Sequence, residues 1–251
     1  MKIDLREKLV VVTGGGRGIG ASCSRFFAKA GATVLVHCRS NVDAANSVLG
    51  GLEGADIRDH FVVAADLSQP QEVRSLFESI AERWGRIDVL VNNAGIWVGN
   101  SIHRFDADKL ETTWITNVRG VFLGVAAALP LFTGDDSNIV NLSSTAGQRG
   151  EAGYSPYAAS KGALIAATKS WSSELAPEIR VNAVAPGWVD TEMCEVPFAG
   201  NGRREIEATI PLGRVASPDD IASAVVFLAS PMARHITGEI LNVNGGSVLC
   251  G

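Results

Sequence analysis

The sequence predicts an α/β domain built around a doubly wound, mainly parallel sheet of seven strands, with helices on both faces. Short runs of β-branched and other apolar residues recur along the chain without polar alternation, which is typical of strands buried on both faces. Longer segments with helical apolar spacing separate these runs, and this alternation favours parallel strands joined by right-handed crossovers. No linker or repeat interrupts the pattern, so residues 1–251 are expected to form one domain.

The predicted strands are spaced so that most connections can hold a helix. In order, they cover residues 9–13, 33–38, 60–65, 87–91, 138–142, 180–185 and 240–243. The predicted helices cover residues 18–30, 71–83, 110–132, 157–175 and 219–229. Pro130 is expected to break the third helix, because proline removes a backbone donor and clashes with the preceding turn. Residues 194–211 fit no strand or strong helix, and a segment of about 190–214 is expected to form a substrate lid or else a surface loop.

Composition excludes several classes of protein. Apolar residues make up 46% of the chain, too many for a disordered protein, and a net charge of −5 argues against nucleic-acid binding through overall charge. The four cysteines lack the spacing of a zinc site, so no metal is expected. The longest uncharged apolar stretch, 120–132, is too short to span a bilayer, and the charged N-terminus does not resemble a signal peptide. A cytoplasmic location is therefore expected.

Glycine is over-represented, with 27 residues or about 11% of the chain against a usual share of roughly 7%. Several of them fall in the turn between the first strand and the first helix. Gly14 is expected to make the tight turn, Gly18 to let the backbone approach a pyrophosphate, and Gly20 to let the helix pack close to the strand. The helix N-terminus would offer free N–H groups to phosphates, so the turn predicts a nucleotide site rather than a mere tight connection.

The glycine spacing T-G-x-x-x-G-x-G resembles that of the short-chain dehydrogenase/reductase family, and three further motifs support the resemblance. Asn92-Asn93-Ala94-Gly95 follows the fourth strand, Tyr157 and Lys161 form a Y-x-x-x-K motif, and Pro186-Gly187 ends the sixth strand. The resemblance covers about 8–246 and is nearest to reductases of the 3-oxoacyl-(acyl carrier protein) type. It implies a Rossmann-like dinucleotide-binding fold and an oxidoreductase.

The resemblance and the glycine turn together predict the cofactor site. Its expected residues are Gly14, Gly16, Arg17, Gly18, Ile19, Gly20, Arg39, Asp66, Leu67, Asn93, Ala94, Gly95, Tyr157, Lys161, Pro186, Gly187, Val189 and Thr191. NAD-binding folds carry an acid at the end of the second strand, but here Cys38 is followed by Arg39. Arg17 and Arg39 would bind a 2′-phosphate between them, and this favours NADP(H) over NAD(H). The alternative is that both arginine side chains are merely solvated. Asp66 has an alternative role as a helix N-cap, and Asn93 as a brace between strands.

The Y-x-x-x-K motif carries the expected chemistry. Tyr157 and Lys161 are four residues apart and share one helix face. A phenol pKa of about 10 is too high for efficient acid–base catalysis at neutral pH, and the ammonium group of Lys161 is expected to lower it. The resemblance implies a catalytic serine 13 residues before the tyrosine, which selects Ser144 over Ser143. It also implies that Asn117 supports a water chain to the lysine.

The substrate pocket is expected to form from the segments that follow the fourth to sixth strands. Its candidate residues are Ser144, Tyr157, Trp97, Tyr154, Trp188, Met193 and Phe198, and ordinary packing is the alternative for the aromatic ones. Carrier proteins are acidic, and this chain has Asp135, Asp136 and Glu178 where carrier-dependent members tend to be basic, which weakens the carrier-protein interpretation. Arg149 and Glu151 lie beside the same loop and have no assigned role.

The favoured function is NADPH-dependent reduction of a small carbonyl, 3-oxoacyl-like or other. One alternative is an NAD(P)-dependent alcohol or sugar dehydrogenase working in the oxidative direction. A nucleotide sensor without catalysis is the second alternative, and the complete set of catalytic residue types argues against it. The helix that begins at Tyr157 is apolar around much of its circumference, which favours its burial against a partner subunit. The resemblance implies a homotetramer or homodimer.

Overall fold

The computed structural model describes residues 3–134 and 136–250, and within them the strands form one sheet. The strands are β1 Leu9–Val12, β2 Thr33–Cys38, β3 Phe61–Ala64, β4 Val89–Asn92, β5 Ser137–Leu142, β6 Ile179–Pro186 and β7 Ile240–Val243. Their order across the sheet is β3-β2-β1-β4-β5-β6-β7, and every neighbouring pair is parallel. The predicted fold class is confirmed, and the described sheet is parallel throughout rather than mainly parallel.

The strand order reverses between β1 and β4. From β1 the chain first adds β2 and β3 on one side, and it then returns to place β4 on the other side. The N–H of Thr13 donates to Val91 O over 3.0 Å just beyond β1, so the carboxyl ends of β1 and β4 are held together. Ligands of doubly wound sheets bind in the crevice at such a reversal.

Helices cover both faces of the sheet. Their bounds are α1 Gly18–Lys29, α2 Val42–Gly50, α3 Pro70–Trp84, α4 Ala107–Trp114, α5 Gly120–Ala128, α6 Thr145–Arg149, α7 Ser155–Glu174, α8 Glu195–Phe198, α9 Gly202–Glu207 and α10 Pro218–Ala229. Alternate strand residues serve opposite layers: Val10 packs with Phe27 of α1 and Ile221 of α10, whereas Val11 packs with Leu76 of α3. This division explains why β1 is apolar at consecutive positions.

The long helical region differs from its prediction. Helix α4 begins at Ala107, earlier than expected, and a π-helical turn over Ile115–Arg119 joins it to α5 before a final 3₁₀ turn at Leu129–Leu131. By length and composition alone, the 25-residue stretch Ala107–Leu131, which contains an 18-residue window with a mean hydropathy of 1.4, would suffice to cross a membrane. In this fold its buried side chains, such as Val121, pack in the core layer that contains α3.

Residues 190–214 contain more regular structure than the sequence pattern indicated. Helices α8 and α9 are both short, and a Cβ on Gly202 would lie 2.1 Å from Pro197 O, so the two helices are packed tightly together. Arg203 Nη1 donates to Asp190 Oδ2 over 2.8 Å, which ties α9 to the segment after β6. A lid function for this segment stays a prediction.

Candidate active site

The glycine turn after β1 has the backbone geometry that its sequence predicted. Gly14 and Gly18 adopt φ values of +64° and +51°, which side chains disfavour. A Cβ on Gly20 would lie 2.1 Å from Gly14 O and 2.6 Å from Asn93 Nδ2. The expected reason for Gly20 was therefore wrong, because it clears the turn's own carbonyl rather than the strand.

The N-terminus of α1 is suited to an anion. Within the described chain, no side chain caps this end and no acidic residue lies in the first helical turn. The backbone N–H groups therefore keep their capacity to bind, and the helix dipole adds partial positive charge. These features fit the pyrophosphate of a dinucleotide.

The turn opens into a cavity of about 580 Å³ at the carboxyl edge of the sheet. Most of the predicted cofactor residues line it, with Gly20 packed behind them. The lining residues from that prediction are Gly14, Gly16, Arg17, Gly18, Ile19, Arg39, Asp66, Leu67, Asn93, Ala94, Gly95, Tyr157, Lys161, Pro186, Gly187, Val189 and Thr191. Their binding roles remain predictions, but the fold brings them together.

Sequence reasoning missed His37, which lines the same cavity from β2. Its Nδ1 accepts the N–H of Gly14 over 3.1 Å, and its Nε2 lies 2.8 Å from Ala65 O. The first bond makes Nδ1 the acceptor, so the N–H of the neutral ring is on Nε2 and donates to Ala65. Burial lowers the pKa of His37 and favours this neutral form. A polar residue within an apolar strand was the signal that could have identified it.

Asn93 braces the turn from the neighbouring strand. Its Nδ2 donates to Thr13 O over 2.9 Å and to Gly14 O over 3.2 Å. Thr13 Oγ1 in return accepts the N–H groups of Asn93 at 2.9 Å and Ala94 at 3.1 Å. The bracing role that was held as an alternative for Asn93 is therefore present, and the side chain also lines the cavity.

Arg17 and Arg39 lie at the same end of the cavity in different environments. Arg17 Nη1 pairs with Glu192 Oε2 at 2.9 Å, and both side chains are largely exposed, so the pair contributes little to stability. Arg39 is exposed at the end of β2. Burial would raise the pKa of Asp66, but hydrogen bonds with Ser68 and the charge of Arg39 hold it below its ordinary value. Asp66 does not cap α3, whose N-cap is residue 69, so that alternative was wrong.

The two candidate serines differ in their hydrogen-bond partners. Ser143 Oγ donates to Lys161 O over 2.8 Å and is buried. Ser144 lies in the cavity wall, where its Oγ accepts the N–H of Ala146 at 3.1 Å, and its hydroxyl acts to lower the pKa of Tyr157. The geometry therefore favours Ser144 over Ser143.

The ionisation of Tyr157 differs from the expectation. Burial raises its pKa to about 12, the bond with Ser144 opposes this rise, and Glu151 and Cys194 add to it. Burial lowers the pKa of Lys161 to about 8. The Lys161 ammonium lies 5.9 Å from the Tyr157 ring centre and donates to Leu142 O over 2.7 Å, so desolvation outweighs its attraction for a phenolate. The expected lowering of the phenol pKa was wrong in this structure.

Asn117 occupies the π-helical turn and is fully buried. Its Oδ1 accepts the N–H of Ile96 at 2.8 Å, and its Nδ2 donates to Ile96 O at 2.9 Å and to Ser160 Oγ at 3.1 Å. A Cβ on Gly95 would lie 3.2 Å from Asn117 Oδ1 and 3.5 Å from Lys161 Nζ. Asn117 therefore joins the segment after β4 to α7 beside the lysine, and its water chain stays a prediction.

Aromatic side chains form one wall of the cavity. Trp97 stacks on Tyr154 with ring centres 4.3 Å apart, and its other edge meets Trp188 at 5.9 Å. Trp97 and Trp188 line the cavity, whereas Tyr154 is not among the lining residues and stacks on Trp97; its substrate contact stays a prediction. Met193 lines the rim and is 44% exposed, and Phe198 lies outside the lining against Trp188.

Comparison with known proteins gives matches over nearly the whole chain. The family described as enoyl-(acyl carrier protein) reductase matches residues 14–247. The 3-oxoacyl-[acyl-carrier-protein] reductase FabG of Thermotoga maritima is 35% identical, with 98% of this chain and 99% of the relative covered. A solved short-chain dehydrogenase/reductase from Brucella melitensis, described as a glucose/ribitol dehydrogenase, superposes with a TM-score of 0.93 at 32% identity and full coverage of both chains.

A second solved structure is a short-chain dehydrogenase from Burkholderia cenocepacia J2315 in complex with NADP. It has a TM-score of 0.90 and 35% identity, and covers 97% of this chain and 98% of its own. The structural match to the Brucella protein covers the whole chain, so it includes the glycine turn, the Tyr157–Lys161 pair and the segment after β6. This chain belongs to the short-chain dehydrogenase/reductase family of oxidoreductases.

Proposed function

We propose that this protein reduces a ketone to a secondary alcohol with NADPH. The observation that carries the proposal is that the hydroxyl groups of Ser144 and Tyr157 line one cavity together with the buried amine of Lys161 and the glycine turn. This arrangement offers two hydroxyl donors to one carbonyl oxygen at the point where a nucleotide would end.

The residues present fit NADP(H). The uncapped N-terminus of α1 would hold the pyrophosphate, and the segment from Asn93 would lie along the adenosine. Arg39 follows β2 where an NAD-selecting acid would stand, so its guanidinium would meet a 2′-phosphate. Lys161 would bond the nicotinamide ribose, and Thr191 would bond the carboxamide. The complex of the Burkholderia relative with NADP supports this choice.

When bound, NADPH supplies the hydride that is added to the carbonyl carbon. Ser144 would donate to the carbonyl oxygen and hold it against Tyr157, which would transfer its phenolic proton to that oxygen. The pKa of about 12 keeps Tyr157 protonated before the reaction, as an acid must be. Lys161, with its pKa lowered to about 8, would then stabilise the phenolate as an ammonium and help to return a proton from solvent. Asn117 would keep the chain of polar groups behind Lys161 in position.

We propose a freely diffusing ketone as the substrate, on the basis of the aromatic wall of the cavity. The aromatic wall of Trp97 and Trp188 would pack against the carbon skeleton of the substrate. Of the acids that argued against a carrier protein, Asp135 lies outside the described residues, and Asp136 pairs with Arg180 at 3.2 Å. Glu178 is exposed just before β6, at the edge of the sheet opposite the cavity, so it does not face a partner that docks at the cavity.

The protein would act as a homotetramer or homodimer in the cytoplasm. Phe122 of α5 is 44% exposed and meets Trp171 of α7 edge to face at 4.8 Å, so the two helices present an apolar surface. A second subunit would cover this surface. The segment 190–214 would act as the lid, with the Arg17–Glu192 pair joining it to the glycine turn.

Two matched panels distinguish the reductase from its alternatives. Absorbance at 340 nm is followed with NADPH and a series of ketones, and with NADP⁺ and the corresponding alcohols. Faster turnover of ketones under physiological cofactor ratios supports the reductase. Faster alcohol oxidation supports the dehydrogenase that acts in the oxidative direction, and NADPH binding without turnover in either panel supports a sensor.

A further inference from the structure

Glu151 is a charged group of the cavity that the proposed reaction does not use. Its carboxylate lines the same cavity as Ser144, Tyr157 and Trp97, at the start of the segment that leads to α7. The side chain is half-buried, and burial raises its pKa. A carboxylate in such a place loses solvation, and a fold retains it at a cost unless a partner compensates.

The position of Glu151 is fixed by its neighbours. Trp97 Nε1 donates to Glu151 Oε2 over 3.3 Å, and the Trp97 ring lies within 9° of parallel to the Tyr154 ring. The N–H of Tyr154 donates to Glu151 O over 3.1 Å, and the N–H of Asn100 donates to Gly153 O over 2.8 Å. The segment that carries the carboxylate is thus anchored to the segment after β4.

One oxygen of this carboxylate remains available. In the described parts of the chain, no donor is bonded to Glu151 Oε1, and no ion pair includes Glu151. Arg149 is exposed and its charge lowers the pKa of Glu151, but it forms no ion pair with it. The charge of Glu151 instead acts on the reaction centre, where it raises the pKa of Tyr157, and on the Cys194 thiol in the cavity wall.

We propose that Glu151 determines substrate specificity by accepting a hydrogen bond from a hydroxyl or ammonium group that the ketone carries near its carbonyl. The aromatic rings of Trp97 and Trp188 would pack against the carbon skeleton, and Glu151 Oε1 would take the donor at the edge of Trp97. The same charge excludes ketones that carry a carboxylate, because like charges in a partly desolvated site repel strongly. This inference rests on the proposed ketone reductase.

The test uses four phenyl ketones that differ only near the far end of a short chain. They are propiophenone, 3-hydroxypropiophenone, 3-aminopropiophenone and 4-oxo-4-phenylbutanoate, each assayed with NADPH at 340 nm. A hydrogen bond to a charged group contributes about 1.5–3 kcal/mol, so the wild type is expected to prefer the hydroxy and amino ketones over propiophenone by about tenfold or more in kcat/KM. The carboxylate is expected to be the poorest substrate.

Glu151→Gln separates a specificity role from a structural one. Glutamine keeps the acceptor for Trp97 but removes the charge, so the ratio of kcat/KM for the donor ketones to kcat/KM for propiophenone should fall about tenfold within this variant. Since Glu151 raises the pKa of Tyr157, the basic limb of the kcat/KM profile should also move to lower pH in this variant. Glu178→Gln removes the same charge from the opposite edge of the sheet, and it should leave both the preference and the profile unchanged.

The outcomes separate the two proposals. If propiophenone is reduced but the wild type shows no preference for the donor ketones, or if Glu151→Gln keeps that preference, the role of Glu151 is overturned and the reductase stands. If no ketone is reduced, the reductase fails. Calorimetry with 1-phenylpropane-1,3-diol and 1-phenylpropan-1-ol then decides the role of Glu151. If the role is correct, the wild type binds the diol about tenfold more tightly than the mono-alcohol, and Glu151→Gln binds the two equally. Equal binding of both compounds by the wild type overturns it.

Discussion

The imidazole of His37 accepts the backbone N–H of Gly14 over 3.1 Å and thereby ties the glycine turn to β2. Through Nε2, which lies 2.8 Å from Ala65 O, the same ring also holds the end of β3. One buried side chain thus sets the relative positions of three segments around the predicted pyrophosphate and adenosine positions. Both bonds require the neutral ring with its proton on Nε2.

Replacing His37 by alanine is expected to weaken NADPH binding about tenfold with a smaller effect on kcat. The substitution leaves the N–H of Gly14 without its acceptor, and an unsatisfied donor costs about 1–3 kcal/mol. Fluorescence titration with NADPH measures the change. His60→Ala is the matched control, because His60 accepts from Val34 N at 3.0 Å and lies 3.3 Å from Glu53 O at the opposite edge of the sheet. Equal loss of NADPH affinity in both variants would contradict a positioning role for His37.

Acid is expected to destabilise the protein through the same ring. Burial holds the pKa of His37 below its ordinary value, so below pH about 6.5 the unfolded chain takes up the proton before the folded one does. The free energy of unfolding therefore decreases as pH falls from about 6.5 towards the lower folded-state pKa. Denaturant unfolding between pH 7 and 5 measures this slope, and His37→Ala should make it shallower. An unchanged slope in the variant would assign the acid sensitivity to other groups.

Arg39→Ala is expected to raise KM for NADPH much more than KM for NADH. The guanidinium would bind the 2′-phosphate that only NADPH carries, and loss of a charged hydrogen bond of about 1.5–3 kcal/mol predicts a tenfold or larger change. Initial rates with both cofactors and one ketone measure the difference. Arg25→Ala, an exposed substitution on α1, controls for the loss of net charge. Equal effects on the two cofactors would exclude Arg39 as the selecting residue.

Lys161→Met is expected to abolish turnover and to stabilise the fold near neutral pH. Burial lowers the pKa of Lys161 to about 8, so below that pH the fold contains a poorly solvated charge. Its removal should raise the free energy of unfolding by about 3 kcal/mol, less the loss of the bond to Leu142 O. The gain should decline as pH rises from about 8 towards 10.5, where the folded and unfolded chains both lose the proton. A variant less stable than the wild type at pH 7 would contradict this cost.

The sheet was predictable from sequence because its strands are buried on both faces and therefore apolar at consecutive positions such as Val10 and Val11. The π-helical turn at Asn117 was not, since it depends on a side chain that bonds Ile96 across the fold rather than on local spacing. For the same reason His37 escaped notice, because its bonds to Gly14 and Ala65 join residues far apart in the chain. Long-range hydrogen bonds leave no periodic signal.

The ionisation of the catalytic pair could not be predicted from spacing alone. A spacing of four positions from Tyr157 to Lys161 predicts a shared helix face, and both side chains do line the same cavity. Spacing does not reveal how deeply both groups are buried, and burial decides their pKa values here. The role of Ser144 as a donor to the substrate carbonyl and the role of Asn117 behind Lys161 stay predictions.

The comparison of Tyr157→Phe with the wild type tests the central proposal most directly. Oxidation of NADPH is followed at 340 nm with the best ketone of the panel, and NADPH binding is measured in parallel by fluorescence. The removal of the phenolic proton donor is expected to lower kcat by a factor of about 100 or more, while the Kd for NADPH changes less than about threefold. Turnover by Tyr157→Phe at a rate close to that of the wild type would contradict the assignment of Tyr157 as the acid.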